Sequence, residues 1–214
     1  MAQFAVIGLG SFGATVALEL TKLNHDVIGI DTIKRNVESL ADRITHAVIA
    51  DATDEHVLEE LNIQNCDAVV VAIGEDIEAS ILCVLNLKNL GVDKVLVKAK
   101  TKAHHTILSH LNVSKIIHPE EDMGVRVAQA LNYPMVRRYM ADDHYIVKVP
   151  VQEKLNHVNL SGILKQEPNI KLLLLKRNQQ ILYETDVNFT LQAGDVLILE
   201  GSLSHLRKLS GCFV

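Results

Sequence analysis

The stretch FAVIGLGSFG at residues 4–13 constrains this chain more than any other. An apolar strand over residues 4–7 runs directly into Gly8, Leu9, Gly10, Ser11, Phe12 and Gly13, and an amphipathic run over residues 14–23 follows at once. In such a strand, glycine turn and helix, Gly8 allows the tight turn, Gly10 lets the backbone come close to a phosphate, and Gly13 lets the helix pack against the sheet. The helix start offers unpaired N–H groups and a positive dipole end to an anion. The glycines alone would be weak evidence, but here a strand precedes them, a helix follows and an acid lies downstream. That acid is Asp31, with Thr32 beside it, at the end of the apolar run over residues 26–30. Its spacing from the last glycine approaches the roughly 20 residues expected of a ribose-binding carboxylate.

The pattern continues in alternation. A charged helical segment is expected over residues 33–42, a short strand over 45–50 and a helix over 55–61. Asp51, Thr53 and Asp54 suit the N-cap of that helix. Asp51 and Ala52 also stand at the carboxyl end of a parallel strand, where an adenine ring would lie, and the sequence leaves both readings open. The unbroken apolar run AVVVAI at residues 68–73 predicts a strand buried on both faces. A helix over 77–90 ends at Gly91, a C-cap signature. A strand over 94–99, a helix over 103–111 and a short strand over 115–117 complete a βα alternation, which right-handed crossovers wind into a Rossmann-like parallel sheet of about six strands.

His118-Pro119-Glu120-Glu121-Asp122 marks a boundary, because proline biases the residue before it away from helix. An amphipathic helix over 123–131 and a second helical piece over 135–140 are expected next. From Tyr145 the period changes to that of strands, at residues 145–149, 171–175, 180–183 and 195–199, separated by Gly162, Pro168-Asn169, Asn178 and Gly194. The fold class is therefore α/β followed by a small α+β domain, with domains expected at 1–140 and 141–214.

Composition excludes several classes. A net charge of -5 argues against a nucleic-acid or anionic-membrane binder. Cys66, Cys83 and Cys212 form no CxxC pair and read as reduced, small apolar residues. The first strand begins almost at the amino terminus, so no signal peptide is expected, and no apolar run reaches the ~20 residues that span a bilayer. A cytoplasmic protein is expected.

Catalytic signatures are missing. His104, His105 and His118 belong to no Ser/His/Asp or Cys/His pattern, and His46 and His110 read as ordinary histidines. There is no metal-ligand spacing of the HExxH or Cys/His kind. Glu120, Glu121 and Asp122 suit a hard cation, and equally a helix N-terminus that favours negative charge. Lys98 and Lys100 end a strand on the ligand side of the sheet, where basic groups neutralise phosphates, although lysine at a strand edge is also ordinary. A dehydrogenase would need a substrate domain with acid–base groups, and the second domain carries no recognisable pair.

FAVIGLGSFG, HAVIADATDE, VVVAIGEDIEAS, VLVKAK and above all IIHPEEDMGVRVAQAL resemble the RCK family of cytosolic potassium channel and transporter regulators, in particular subunits of the KtrA/KtrC (TrkA-like) type. The resemblance covers the whole chain, with an RCK nucleotide-binding domain followed by an RCK C-terminal domain ending in LQAGDVLILEG. It implies a gating subunit without enzyme activity. It further implies a homodimer assembling into an octameric ring beneath a KtrB-type potassium-translocating membrane subunit, peripheral at the inner face of the membrane. ATP or ADP, or NAD/NADH as in some relatives, would bind the crevice and change the ring's shape. By motif, Gly8, Gly10, Ser11, Phe12 and Gly13 would meet the phosphates, and Asp31 with Thr32 the ribose. Asp51, Ala52, Ile73, Gly74 and Glu75 would line the adenosine site, with Lys98, Ala99, Lys100 and His104 on the phosphate side. Glu120 matches an acid that in relatives helps hold a divalent cation, Mg2+ or Ca2+, at a dimer-related site, and residues 123–131 match the crossover helix linking two subunits.

The chain departs from this pattern twice. Many relatives have an arginine where Ser11 stands, and a serine hydroxyl supplies neither the charge nor the bidentate fork for a terminal phosphate. Weakened discrimination of ATP from ADP, or a shift toward ADP or NAD(H), is expected. Several relatives bind cyclic di-AMP in the C-terminal domain; the corresponding stretch here, SGILKQEP at 161–168, has Lys165 as its only basic residue, which leaves that ligand an open expectation. The alternative functions are a small NAD-dependent oxidoreductase and a redox-sensing transcriptional regulator.

Overall fold

The computed structural model describes residues 1–132, 136–141, 144–165, 167–183 and 189–213. They form two compact units, Met1–Asp122 and Met123–Val214.

The first unit is a six-stranded parallel sheet. Its elements in chain order are β1 (Gln3–Ile7), α1 (Ser11–Lys22), β2 (Asp26–Asp31), α2 (Lys34–Glu38), β3 (His46–Ile49), α3 (Glu55–Glu60), β4 (Ala68–Val71), α4 (Ile77–Asn89), β5 (Val95–Lys98), α5 (Lys102–His110) and β6 (Lys115–Ile117). The strand order is β3-β2-β1-β4-β5-β6. β1 and β4 are neighbours although β2 and β3 intervene in sequence, so the chain winds outward in both directions from β1. That reversal opens a crevice at the carboxyl ends of the central strands. β4 is buried along its whole length, as its unbroken apolar run requires of a strand covered on both faces. One face packs Ile7, Ile30, Val69, Val71, Leu87 and Leu108 into a core. The other packs Val6, Leu9, Ala17, Val27 and Val70.

Helix α6 (Pro119–Asn132) starts earlier than its periodicity predicts. Pro119 takes the first helical position, where a missing N–H is no loss, and Glu120, Glu121 and Asp122 fill the first turn, where the dipole favours acids.

The second unit continues with β7 (Val136–Ala141), β8 (His144–Pro150), α7 (Leu160–Leu164), β9 (Lys171–Arg177), β10 (Gln180–Leu182), β11 (Val196–Ser202) and α8 (Leu203–Phe213). Its sheet runs β10-β9-β11-β8-β7, and every pairing is antiparallel. The helical piece expected over 135–140 is corrected here. Met135 lies outside the described residues, and residues 136–141 are a strand whose Val136, Arg138 and Tyr139 pair with Lys148, Ile146 and Tyr145 of β8. Six residues gain little from helical hydrogen bonds of their own, whereas β8 offers them a ready ladder. The core of this unit gathers Val147, Val149, Leu175, Leu197 and Leu199 from the sheet with Leu206 and Leu209 from α8. Its one buried carboxylate among the described residues, Asp195, is gripped by Arg177, with Nε to Oδ1 at 2.9 Å and Nη2 to Oδ2 at 2.7 Å. Arg177 also donates to the Thr190 carbonyl at 2.9 Å and lies over the Phe189 ring.

Candidate functional site

The crevice at the carboxyl ends of β1, β2 and β4 is a cavity of about 520 Å³, within the roughly 300–1,000 Å³ range of small-molecule sites.

Its floor is the glycine turn, and each glycine has a different physical duty. Gly8 has φ +91°, and a Cβ there would lie 2.9 Å from the Ala72 carbonyl carbon. Its N–H donates to the Ile30 carbonyl at 2.8 Å, tying β1 to β2. A Cβ on Gly13 would lie 1.8 Å from the Gly8 carbonyl oxygen, so α1 rests directly on the turn. Gly10 is extended at the N-cap of α1 and has no heavy atom within 4 Å of its Cβ position, leaving open space where an anion would approach the helix start.

Asp31 closes the turn from the β2 side. Its Oδ2 accepts from the Leu9 N–H at 2.7 Å and from Asn36 Nδ2 at 3.0 Å, and its Oδ1 accepts from the Ile33 N–H at 2.7 Å. Asp51 and Ala52 line the opposite wall with Thr53. Asp51 Oδ1 accepts from the Thr53 N–H at 2.9 Å and the Thr53 hydroxyl at 2.8 Å, and these bonds, the amide's first, hold the carboxyl below the usual range. The N-cap of α3 is Asp54, accepting from the His56 N–H, so Asp51 makes a local turn and faces the crevice. Ile73, Gly74 and Glu75 form the third wall after β4, and Asp76 caps α4 through the Ala79 N–H at 2.9 Å.

The remaining sequence-predicted residues flank the cavity without lining it. Ser11, Phe12 and Gly13 form the first turn of α1 behind Gly10. Lys98, nearly buried, lies behind the wall, its Nζ 3.0 Å from the Gly74 Cβ position and 2.5 Å from Glu120 Oε1. Lys100 Nζ reaches Glu75 Oε2 at 2.9 Å. Each lysine, through its hydrogen bond, lowers the carboxyl pKa of its partner acid. Ala99 is buried and donates its N–H to the Ile117 carbonyl at 2.9 Å. His104 is buried in the first turn of α5 and its Nε2 has no partner; burial first, then the nearby His118, lowers its pKa.

Ile33, Asn36 and Leu82 also line the crevice and were missed from the sequence. No motif marks them, because they arrive from the first turn of α2 and the middle of α4, at positions that only the winding of the sheet brings to the mouth. As to metal, no group of three His, Cys, Asp or Glu side chains suited to an ion lies among the described residues, and Glu120 is engaged by Lys98. Cys83 is buried and Cys66 half-buried, both free thiols, and burial pushes them up to about 12 and about 11. The side chain of Cys212 lies outside the described residues.

Among known proteins, residues 4–119 match the TrkA-N domain family. The chain is 35% identical over 209 residues to Ktr system potassium uptake protein A of Bacillus subtilis, covering 96% of this chain and 94% of that one. It is 34% identical over 209 residues to Ktr system potassium uptake protein A of Vibrio alginolyticus, covering 96% and 95%. The crystal structure of the GsuK RCK domain shares the fold with a TM-score of 0.63 at 15% identity, covering 99% of this chain and 47% of that one. The GsuK channel bound to NAD gives 0.55 at 16% identity, covering 100% and 38%. With the glycine turn, the acid at the end of β2 and this full-length likeness together, the chain belongs to the TrkA-N domain family and, within it, to the Ktr system potassium uptake proteins.

Proposed function

We propose that this chain is a cytosolic nucleotide-binding regulatory subunit of a potassium uptake system, a sensor and not an enzyme. The crevice carries the reading. Its floor is a helix N-terminus left open at Gly10, one wall presents Asp31 for a ribose, and the described residues around it include no nucleophile–base pair. The full-length relatives named as Ktr potassium uptake proteins support potassium transport as the process, and a solved neighbour of the same fold is described as bound to NAD.

The ligand is an adenine nucleotide, ATP or ADP, with NAD(H) as the alternative, bound by the sequence-predicted residues named above. Lys98 and Lys100, held close behind Gly74 and Glu75, supply positive charge to the phosphates. A divalent cation at Glu120 would draw its other ligands from phosphate oxygens or a second subunit, because one described chain does not supply them. The functional division falls at about residue 140, with α6 counted in the nucleotide-binding part as the link between two subunits. Homodimers assemble into an octameric ring that acts on a KtrB-type membrane subunit, and the two nucleotide states must contact two ring shapes differently, since equal affinity shifts nothing.

Calorimetric titration of the full chain with ATP, ADP and NADH, paired with light scattering, tests this reading. Nucleotide binding by a ring-sized particle is expected; a monomer indifferent to all three ligands refutes it.

A further inference from the structure

The hydrogen bonds around Asp31 leave it short of capacity for the ligand it is expected to hold. An ionised carboxylate offers about four lone-pair positions. The Leu9 N–H and Asn36 Nδ2 occupy Oδ2, and the Ile33 N–H takes one position on Oδ1. A single position on Oδ1 remains, enough for one ribose hydroxyl and not for a vicinal pair.

Asn36 is the neighbour that makes up the difference. A carboxylate has no proton to donate, so the Asn36 amide must turn its NH2 toward Asp31. Its Oδ1 is then directed away from Asp31 and has no protein partner among the described hydrogen bonds, while Asn36 lines the same cavity as Asp31. Val37, the next residue, is buried in the core, which fixes the rotation of α2 and keeps Asn36 half-exposed at the mouth.

We propose that Asn36 is a specificity-determining residue of the crevice: its Oδ1 accepts the ribose hydroxyl for which Asp31 has no lone pair left, so that the site selects nucleotides with both 2′- and 3′-hydroxyls free. The inference rests on the nucleotide reading given above and adds a residue that no sequence motif marks. Asp31 and Asn36 act as one unit, the donor half of the amide orienting the carboxylate and the acceptor half reading the sugar.

The test measures the affinity of the full chain for ADP, 2′-deoxy-ADP and 3′-deoxy-ADP by calorimetry, in the wild type and in Asn36→Lys and Asn36→Arg, whose side chains can still donate to Asp31 but offer no acceptor. The wild type is expected to bind the analogue lacking the hydroxyl held by Asn36 about five- to tenfold more weakly than ADP, the worth of one neutral hydrogen bond, and the analogue lacking the hydroxyl held by the ionised Asp31 more than tenfold more weakly. In both variants one of the two penalties should fall to within twofold while the other persists, because Asp31 still reads its own hydroxyl. Two results overturn the proposal: a wild type indifferent to one of the hydroxyls, or variants that weaken all three ligands by the same factor and keep both penalties, which would make Asn36 only a prop for Asp31. Lysine and arginine both suit a helix and differ in shape, so a fold defect in one variant, visible in its melting temperature, leaves the other to decide. Failure of the wild type to bind ADP, ATP and NADH alike would instead remove the nucleotide reading, and is seen before any variant is made.

Discussion

Replacing Gly13 and Gly10 by alanine separates what the glycine turn does for the fold from what it does for the ligand. At Gly13 the added methyl would sit 1.8 Å from the Gly8 carbonyl oxygen and 3.1 Å from the Ala72 Cβ. The first distance is roughly 1.5 Å short of van der Waals contact. Neither side can yield cheaply: the oxygen belongs to the backbone of the turn, and Gly8 itself is wedged against Ala72 and Ile73. Overpacking typically costs about 1–3 kcal/mol, and with backbone on the obstructing side Gly13→Ala should reach or exceed about 3 kcal/mol, roughly a 10 °C fall in Tm for a unit of this size. At Gly10 the same methyl meets nothing within 4 Å, and φ is -65°. Gly10→Ala should gain about 0.5 kcal/mol through the unfolded chain and lose a similar amount because alanine is a poorer N-cap than glycine, so it should fold about as well as the wild type yet bind nucleotide more weakly because the methyl enters the crevice. Urea unfolding of both variants, alongside nucleotide titration, reads the two effects separately. Gly13→Ala unfolding within about 1 kcal/mol of the wild type, or Gly10→Ala losing as much stability as Gly13→Ala, would show that the close contact between α1 and the turn does not hold the unit together.

In the second unit, Arg177→Met leaves the buried Asp195 carboxylate without its partner and should cost about 3 kcal/mol, most of it restored in Arg177→Met/Asp195→Leu, as urea unfolding would reveal. Burial alone would raise the Asp195 carboxyl, but hydrogen bonds from Arg177 and the Gln192 N–H outweigh it and the pKa is lowered. The pair's contribution is then full above the unfolded carboxyl's pKa, about 4, and is lost as pH falls through the lower folded value, so an acid melt of Asp195→Asn should lack that step. His104 is held neutral by burial, its pKa lowered; stability should fall as pH drops below 6.5, the value of an ordinary histidine, toward the folded value. That fall should vanish in His104→Leu. Cys66 and Cys83, with thiols pushed up to about 11 and about 12, should escape iodoacetamide in the native protein at pH 8, checked by peptide mass mapping. Modification of Cys83 without unfolding would contradict its burial.

Local patterns were enough to specify the parallel sheet, the order of its elements and the place of the glycine turn: a glycine spacing, apolar runs of strand length, and Gly91 at the end of a helix. The acids and glycines that line the cavity were legible for the same reason, each standing at the end of a strand that the pattern marks. The tertiary structure decided what depends on partners distant in sequence. Residues 136–141 became a strand because β8 offered a ladder that no local pattern in those six residues announces. Lys98 and Lys100 were set behind the cavity wall by ion pairs to Glu120 and Glu75, separated from them by 22 and 25 positions. Asn36 and Leu82 reached the crevice because the core fixed how their helices turn, and the Leu9 N–H, 22 positions from Asp31, joins the local Ile33 and Asn36 donors on its carboxylate only once β1 and β2 have paired.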